Sequence, residues 1–124
     1  MSTGYQVLLV EDEVSVRGAI REHLAMRGHN CMEAANGADA LRLLQAITPD
    51  AIVCDISMPT MGGIEFVLKS RAMGCTTPIL ILTGVDDSTV RTLGRDAGAC
   101  YCLSKPPNYD ELDRLIRTAV AMAR

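Results

Sequence analysis

The sequence predicts an α/β fold in which helices cover both faces of a five-stranded parallel sheet. Short runs rich in Val, Ile, Leu and Cys alternate with longer stretches of helical period, and five such pairs follow one another. The 124 residues include one Phe, three Tyr and no Trp, so we expect an aliphatic core. No repeat, low-complexity tract or linker-like stretch divides the chain, which indicates one domain over residues 1–124.

The predicted strands differ in how apolar they are. They are residues 7–10, 31–34, 51–54, 79–82 and 100–103. The first, third and fourth are apolar almost throughout, as expected for strands in the middle of a sheet that is covered on both faces. These three strands are therefore placed at the centre.

Apolar residues at helical spacing predict the first and last helices. They are Val16, Ile20 and Leu24 in the first helix, and Leu112, Leu115, Ile116, Ala119 and Val120 in the last. Gly28 predicts the end of the first helix, because glycine readily adopts the left-handed conformation that follows many helices. Either Asn108 or Asp110 could cap the start of the last helix.

The second helix is expected to open at Asn36-Gly37 and to carry Leu41 and Leu44. The fourth, residues 88–97, is the weakest of the predicted helices. Its β-branched residues are Thr89, Val90 and Thr92, and Gly94 lies in its interior. Both features lower helix propensity, so this segment is the candidate moving part.

Composition disfavours several classes of protein. The formal net charge of -3 offers no basic surface for a nucleic acid backbone, so we expect no direct nucleic acid binding. No apolar run reaches about 18 residues, and the start of the chain lacks the pattern of a secretory signal, so we expect neither membrane insertion nor secretion. The expected location is the cytoplasm.

The five cysteines also fit a reducing compartment. Their number is odd, and most lie in predicted strands rather than in loops. Cys100 and Cys102 flank one residue, but no second pair of ligands follows to complete a four-ligand metal site. Reduced thiols are therefore the expected state.

Ionic and hydroxyl side chains follow four of the predicted strands. Glu11, Asp12 and Glu13 come after the first strand, and the others are Asp55, Thr83 and Lys105 after the third, fourth and fifth. Because the carboxyl ends of parallel strands meet at one edge of the sheet, we expect these groups to lie together. Carboxylates in the first loop would repel a phosphate unless a cation intervened, and Mg²⁺ prefers oxygen ligands. A metal-assisted phosphate site is the economical interpretation.

Each of these residues alone has a structural interpretation. Acidic residues in a first helical turn favour the helix dipole, which is worth about 0.3 to 1 kcal/mol for each. Asp55 could serve as a loop or cap residue, Thr83 as a strand-end hydroxyl bonded to backbone, and Lys105 as a surface lysine beside a turn. Their joint placement at one edge favours the functional interpretation.

The sequence resembles the receiver domain of two-component response regulators over essentially its whole length. The matching stretches are VLLVEDE at 7–13, DISMP around Asp55, MGG at 61–63, PILILTG at 78–84, AGA at 97–99 and LSKP at 103–106. The resemblance implies a flavodoxin-like, doubly wound sheet in the order 2-1-3-4-5, an order shared by flavodoxin and a chemotaxis regulator of this family. It also implies a cis peptide bond between Lys105 and Pro106.

By the same resemblance, Asp55 is the phosphoryl acceptor. Mg²⁺ is expected to be held by Asp12, Asp55 and the backbone carbonyl of Ser57, with Glu11 acting through a water. Thr83 and Lys105 are expected to bind the phosphoryl oxygens. The chain is then a regulatory phosphoacceptor rather than an enzyme, and its donor is a sensor histidine kinase or a histidine phosphotransfer protein.

The resemblance implies a signalling output through helix 4, strand 5 and helix 5, a surface that is also a candidate for dimerisation. A downstream protein or output domain, which the sequence leaves unidentified, would read that surface. The family's usual switch aromatic lies three residues before the lysine, where this chain has Cys102. Tyr101 should face the other side of the sheet by strand alternation. Ser57 and Val85 occupy positions that tune phosphoryl lifetime in the family.

Two other interpretations compete with this one. An aspartate-nucleophile phosphatase of the haloacid dehalogenase kind would need a second Asp two residues after the nucleophile, where this chain has Ser57. An interaction module that works without phosphorylation would be indicated by a missing lysine or acidic pair. Both are present in this chain.

Overall fold

A computed structural model of the chain describes residues 4–84 and 88–124. Five strands and five helices alternate along these residues. The strands are β1 (Gln6–Val10), β2 (Asn30–Ala34), β3 (Ala51–Asp55), β4 (Ile79–Thr83) and β5 (Tyr101–Ser104). The helices are α1 (Val14–Ala25), α2 (Gly37–Leu44), α3 (Gly63–Ala72), α4 (Ser88–Ala97) and α5 (Tyr109–Ala123).

The strands form one parallel sheet in the order β2-β1-β3-β4-β5, which confirms the predicted fold. Every residue of β3 and β4 is buried, as their apolar sequences predict for central strands. The predicted strand bounds were wrong by one residue at one or both ends. Apolar character marks the buried stretch of a strand, whereas the ladder continues into polar residues such as Gln6, Asp55 and Ser104.

Alternation along the strands divides the core into two layers. Leu9, Val53 and Leu82 point to the face that α1 and α5 cover, where Ile20 and Ile116 pack against them. The opposite face is covered by α2, α3 and α4. Its buried side chains include Leu8, Val10, Ile52, Ile81, Ala40, Phe66 and Ala97. Both layers are therefore dominated by aliphatic side chains, as the composition predicts.

The helix ends follow the local signals of the sequence. After α1, Gly28 has a φ of 95°, and the His29 N–H donates to the Leu24 carbonyl, which closes the helix as predicted. The Asn36 side chain accepts from the Asp39 N–H at the start of α2. Of the two candidate caps for α5, Asn108 is the cap.

The topology brings the candidate residues to one edge of the sheet. After β1 the chain enters α1 on one face, and after β3 it enters α3 on the other face. The chain therefore leaves β1 and β3 in opposite directions, which leaves a crevice beyond the ends of these two neighbouring strands. The part of the chain that the structure describes contains no helix long and apolar enough to cross a lipid bilayer.

Two glycines should respond in opposite ways to substitution by alanine. A Cβ on Gly18, inside α1, would meet no atom within 4 Å, so Gly18→Ala should raise the free energy of unfolding by about 0.5 to 1 kcal/mol. A Cβ on Gly63 would lie 2.6 Å from the Asp55 carbonyl oxygen and 2.8 Å from the Ile56 Cα. Because both atoms are backbone, Gly63→Ala should lower that free energy by about 1 to 3 kcal/mol.

Urea unfolding of the wild type and the two variants tests this expectation. The m value should stay constant, so that a change in midpoint reports stability alone. Equal stability of Gly63→Ala and the wild type would contradict the close approach of α3 to the end of β3.

Candidate functional site

Three carboxylates meet where β1 and β3 end. Glu11 follows β1 directly and is 2% exposed, while Asp55 is the last residue of β3 and is 4% exposed. Asp12 is next in the loop and is half-buried. One oxygen of each carboxylate lies within 4.8 Å of an oxygen of the others. Such crowding of negative charge at buried positions requires compensation by cations or hydrogen bonds.

Among the described residues, Lys105 is the cationic side chain that pairs with these carboxylates. Its Nζ lies 3.3 Å from Glu11 Oε1 and 3.3 Å from Asp55 Oδ1. Burial disfavours the ammonium form, but the carboxylates of Asp55 and Glu11 outweigh it, so the pKa of Lys105 is raised. One ammonium beside three carboxylates leaves the cluster with an excess of negative charge.

The surroundings of Glu11 change its protonation. Burial raises the pKa of Glu11 and the charge of Asp55 adds to the effect, whereas the Glu13 N–H and Lys105 oppose it. The Glu13 N–H donates to Glu11 Oε2 at 3.1 Å. The loop after β1 therefore folds back on its own first carboxylate.

Backbone hydrogen bonds fix the remaining residues of this edge. Thr83, the last residue of β4, is 1% exposed, and its carbonyl accepts from the Lys105 N–H at 2.7 Å. Ser57 is exposed in the loop after β3, where its N–H donates to Asp55 Oδ1 at 3.3 Å. The structure thus places Thr83, Ser57 and Lys105 around the same strand ends as Asp55.

The loop between β3 and α3 makes a tight turn beside the cluster. Thr60 has a φ of 72°, and the Met61 N–H donates to the Pro59 carbonyl at 2.7 Å. The Gly63 N–H then donates to the Ile56 carbonyl at 2.9 Å, which brings the start of α3 against the end of β3. This path holds the backbone of Asp55 between two strands and a helix.

The donor set suits a hard divalent cation. All three side chains offer carboxylate oxygens, which Mg²⁺ and Ca²⁺ prefer to nitrogen or sulfur ligands. The excess negative charge of the cluster supplies the electrostatic attraction. These residues therefore fit a magnesium ion on the basis of their chemistry and their separation.

Comparison with known proteins identifies the family. The family model of the response regulator receiver domain matches residues 7–117 of the chain. The chain belongs to this family. A curated relative, response regulator MprA of Mycolicibacterium vanbaalenii, is 38% identical to the receiver domain over 107 residues, which are 86% of this chain and 46% of that protein. The chain spans about half the length of the curated relatives it matches.

Solved structures resemble the receiver domain over nearly its whole length. The receiver domain of the Francisella response regulator 1452 has a TM-score of 0.91 and 27% identity, and the match covers 97% of this chain and 99% of that one. Chemotaxis response regulator CheY4 of Vibrio cholerae has a TM-score of 0.86 and 34% identity, with 94% and 99% covered. The resemblance predicted from sequence motifs is therefore confirmed.

Several finer expectations from the sequence can also be compared with the structure of this chain. The peptide bond between Lys105 and Pro106 is cis, as predicted. Tyr101 packs against the layer of α1 and α5, whereas Cys102 packs against the opposite layer, which confirms that they face opposite sides. All five cysteines are free thiols. Val85, which was expected to tune phosphoryl lifetime, lies outside the described residues.

Sequence reasoning missed one residue that contacts the site. Arg17, in α1, donates from Nη1 to the Glu11 carbonyl at 2.7 Å. Arg17 lies one turn after the acidic loop, residues 11–13, and a helix that starts there turns Arg17 back toward the loop. This position was the signal in the sequence that Arg17 contacts the loop. Its second partner, Glu33 on β2, depends on tertiary structure and has no local signal.

The crowding of carboxylates predicts that Asp55→Asn stabilises the receiver domain in buffer without divalent cations. The substitution removes a buried charge that faces two other carboxylates, so the free energy of unfolding should rise by about 1 kcal/mol. Added Mg²⁺ should reduce or reverse the difference from the wild type.

The matched control is Asp96→Asn, at an exposed position on α4. Urea unfolding with and without Mg²⁺ should leave this control within about 0.5 kcal/mol of the wild type. A loss of stability in Asp55→Asn without Mg²⁺ would show that the charge of Lys105 dominates the cluster.

Proposed function

We propose that this receiver domain accepts a phosphoryl group on Asp55 from a phosphohistidine and thereby changes its surface at α4, β5 and α5. The observation that carries the proposal is the buried Asp55 carboxylate, held beside Glu11 and Asp12 with Lys105 at 3.3 Å. Family membership makes the domain part of two-component signalling, and receiver domains are regulatory switches rather than conventional enzymes.

The transfer needs an in-line approach of one carboxylate oxygen to phosphorus. A bond forms between an Asp55 oxygen and phosphorus while the bond between phosphorus and the histidine nitrogen breaks, and that nitrogen keeps the electron pair. The donor is a sensor histidine kinase or a histidine phosphotransfer protein. The deep position of Asp55 lets the chain surround the phosphoryl group with charge and exclude competing water.

Named residues would neutralise the charge on the phosphoryl oxygens. Lys105 contributes its ammonium from the end of β5, and Thr83 contributes a hydroxyl from the end of β4. Mg²⁺, when bound, neutralises negative charge on the acceptor and on the transferred group. Asp12, Asp55 and the carbonyl of Ser57 would hold the ion directly, and Glu11 would act through a water.

The expected response lies at α4 and β5. Arg91 Nη1 donates to the Cys102 carbonyl at 2.7 Å, and a Cβ on Gly94 would lie 3.0 Å from Cys102 Sγ. Phosphorylation adds about -1.5 to -2 charges beside Thr83, whose position on β4 neighbours β5. The altered hydrogen bonding of Thr83 would then shift the balance between two positions of α4.

A downstream protein or output domain would read the resulting surface, and the same surface could pair two copies of the domain. Location in the cytoplasm agrees with this role, because the phosphodonor proteins act on that side of a membrane.

Phosphorylation of Asp55 is tested with acetyl phosphate and Mg²⁺. Intact mass should show the gain of one phosphoryl group in the wild type and in the exposed control Asp96→Asn, but no gain in Asp55→Asn. Beryllofluoride should shift the amide resonances of Thr83, Lys105 and α4. An unchanged mass and an unchanged spectrum would contradict the proposal and leave an interaction module that works without phosphorylation.

The contact of α4 with β5 predicts coupling between Gly94 and Cys102. Gly94→Ala places a Cβ 3.0 Å from Cys102 Sγ and 3.3 Å from Ile81 Cδ1. Removal of the sulfur by Cys102→Ala should make room for it. Gly94→Ala should therefore be less favourable in the wild type than in the Cys102→Ala background by about 0.5 to 1 kcal/mol.

Urea unfolding of the four proteins of this cycle measures the coupling. Strictly additive effects would contradict the direct packing of α4 on Cys102. The m values should agree among the four proteins, which ensures that the comparison reports the native contact.

A further inference from the structure

One arginine ties the acidic loop to the neighbouring strand. Arg17 lies in α1 with its side chain 15% exposed. Its Nη1 donates to the Glu11 carbonyl at 2.7 Å, and its Nε donates to Glu33 Oε1 at 2.9 Å. A single guanidinium thus joins the end of β1 to the end of β2.

The peptide between Glu11 and Asp12 is held at its oxygen, and the peptide before it is held at its N–H. Its oxygen is the Glu11 carbonyl that accepts from Arg17. In the preceding peptide, the Glu11 N–H donates to the Ala34 carbonyl at 3.1 Å, next to Glu33 on β2. Because the Asp12 backbone nitrogen belongs to this peptide, the direction of the Asp12 carboxylate depends on how firmly the peptide is held.

We propose that Arg17 is a positioning residue that, together with Glu33, fixes the Glu11–Asp12 peptide so that Asp12 and Asp55 can bind one Mg²⁺ ion. The inference rests on the proposed function, since it concerns the metal that the phosphoryl transfer uses. Arg17 would act through the peptide, and it contacts neither the metal nor the phosphoryl group.

The role depends on geometry more than on charge. Arg17 meets the loop after β1 at a backbone carbonyl, and Glu33, which also pairs with Arg21, offsets part of its charge. The planar guanidinium fork donates from Nε and Nη1 at a fixed angle, which lets it hold a carboxylate and a carbonyl together. A lysine carries the same charge on a flexible stem and cannot reproduce that arrangement.

The chain offers a matched control in Arg21. Its Nη1 donates to Glu33 Oε2 at 2.8 Å, but its side chain is 58% exposed and makes no hydrogen bond to Glu11 among the described residues. Arg17 and Arg21 therefore share Glu33 as a partner. A comparison of the two separates loss of an ion pair to Glu33 from loss of the hold on the acidic loop.

The experiment measures Mg²⁺ affinity from amide chemical shifts in the wild type, Arg17→Gln, Arg17→Lys and Arg21→Gln. Arg17→Gln should weaken Mg²⁺ binding about tenfold, the lower end of the range for outer-shell partners of a metal site. Arg17→Lys should fail to restore it, and Arg21→Gln should change it by less than about twofold. Urea unfolding without Mg²⁺ shows whether each variant is folded.

Each result decides a separate point. Equal Mg²⁺ affinity in the Arg17 and Arg21 variants, with normal binding by the wild type, would overturn the inference and leave the proposed function intact. Full rescue by Arg17→Lys would overturn the geometric role. Absence of Mg²⁺ binding by the wild type would overturn the proposed function and the inference with it. If Arg17→Gln does not fold, the Mg²⁺ affinity of Arg17→Lys is compared with that of Arg21→Gln, and equal affinities would overturn the inference.

Discussion

Repulsion among three carboxylates is the constraint on which the arrangement of this edge depends. Even at 4.8 Å, the upper limit of the distances between their oxygens, each pair of charges repels by on the order of 3 kcal/mol with an effective dielectric constant of about 20. Lys105 offsets part of this repulsion from the end of β5. The Glu13 and Ser57 N–H groups offset a further part of the repulsion, because they donate hydrogen bonds to the carboxylates of Glu11 and Asp55. What remains is a local excess of negative charge that favours a bound cation.

The carboxylates that repel one another and the helix that could move when their charge changes lie in different parts of the fold. Glu11 and Asp55 extend from β1 and β3, which have partner strands on both sides. Lys105 follows β5, which is an edge strand covered by α4. Within α4 only two residues, both small, are buried. Because a helix with so little buried surface costs little to displace, charge added between these parts would move α4 before it moved the central strands.

Much of the fold could be predicted because its signals are local or follow from parallel pairing. Apolar runs identified the central strands, and the glycine after α1 marked the end of that helix. The placement of Asp55 beside Glu11 required only that parallel strands end at the same edge. Neither inference needed knowledge of any specific contact between side chains.

The rest depends on contacts between residues that are distant in sequence. Lys105 was expected to bind a phosphoryl oxygen, and nothing local indicates that it also pairs with Glu11, 94 positions away. Nor does periodicity reveal that Arg17 reaches Glu33, because the pair forms only when α1 packs over β2. Strand ends were wrong for a related reason, since the backbone ladder is set by the neighbouring strand and not by apolar character.

The small side chains at the contact of α4 with β5 determine how a signal could leave the site. A switch based on an aromatic ring needs space into which the ring can turn, and here Gly94 approaches Cys102 so closely that a single added carbon would meet its sulfur at 3.0 Å. Interiors packed this tightly shift as bodies, because neighbouring atoms cannot move independently. In the proposed mechanism, therefore, the change at Thr83 reaches the surface as a displacement of α4 against β5. The hydrogen bond from Arg91 to the Cys102 carbonyl is the contact that such a displacement would have to break or carry along.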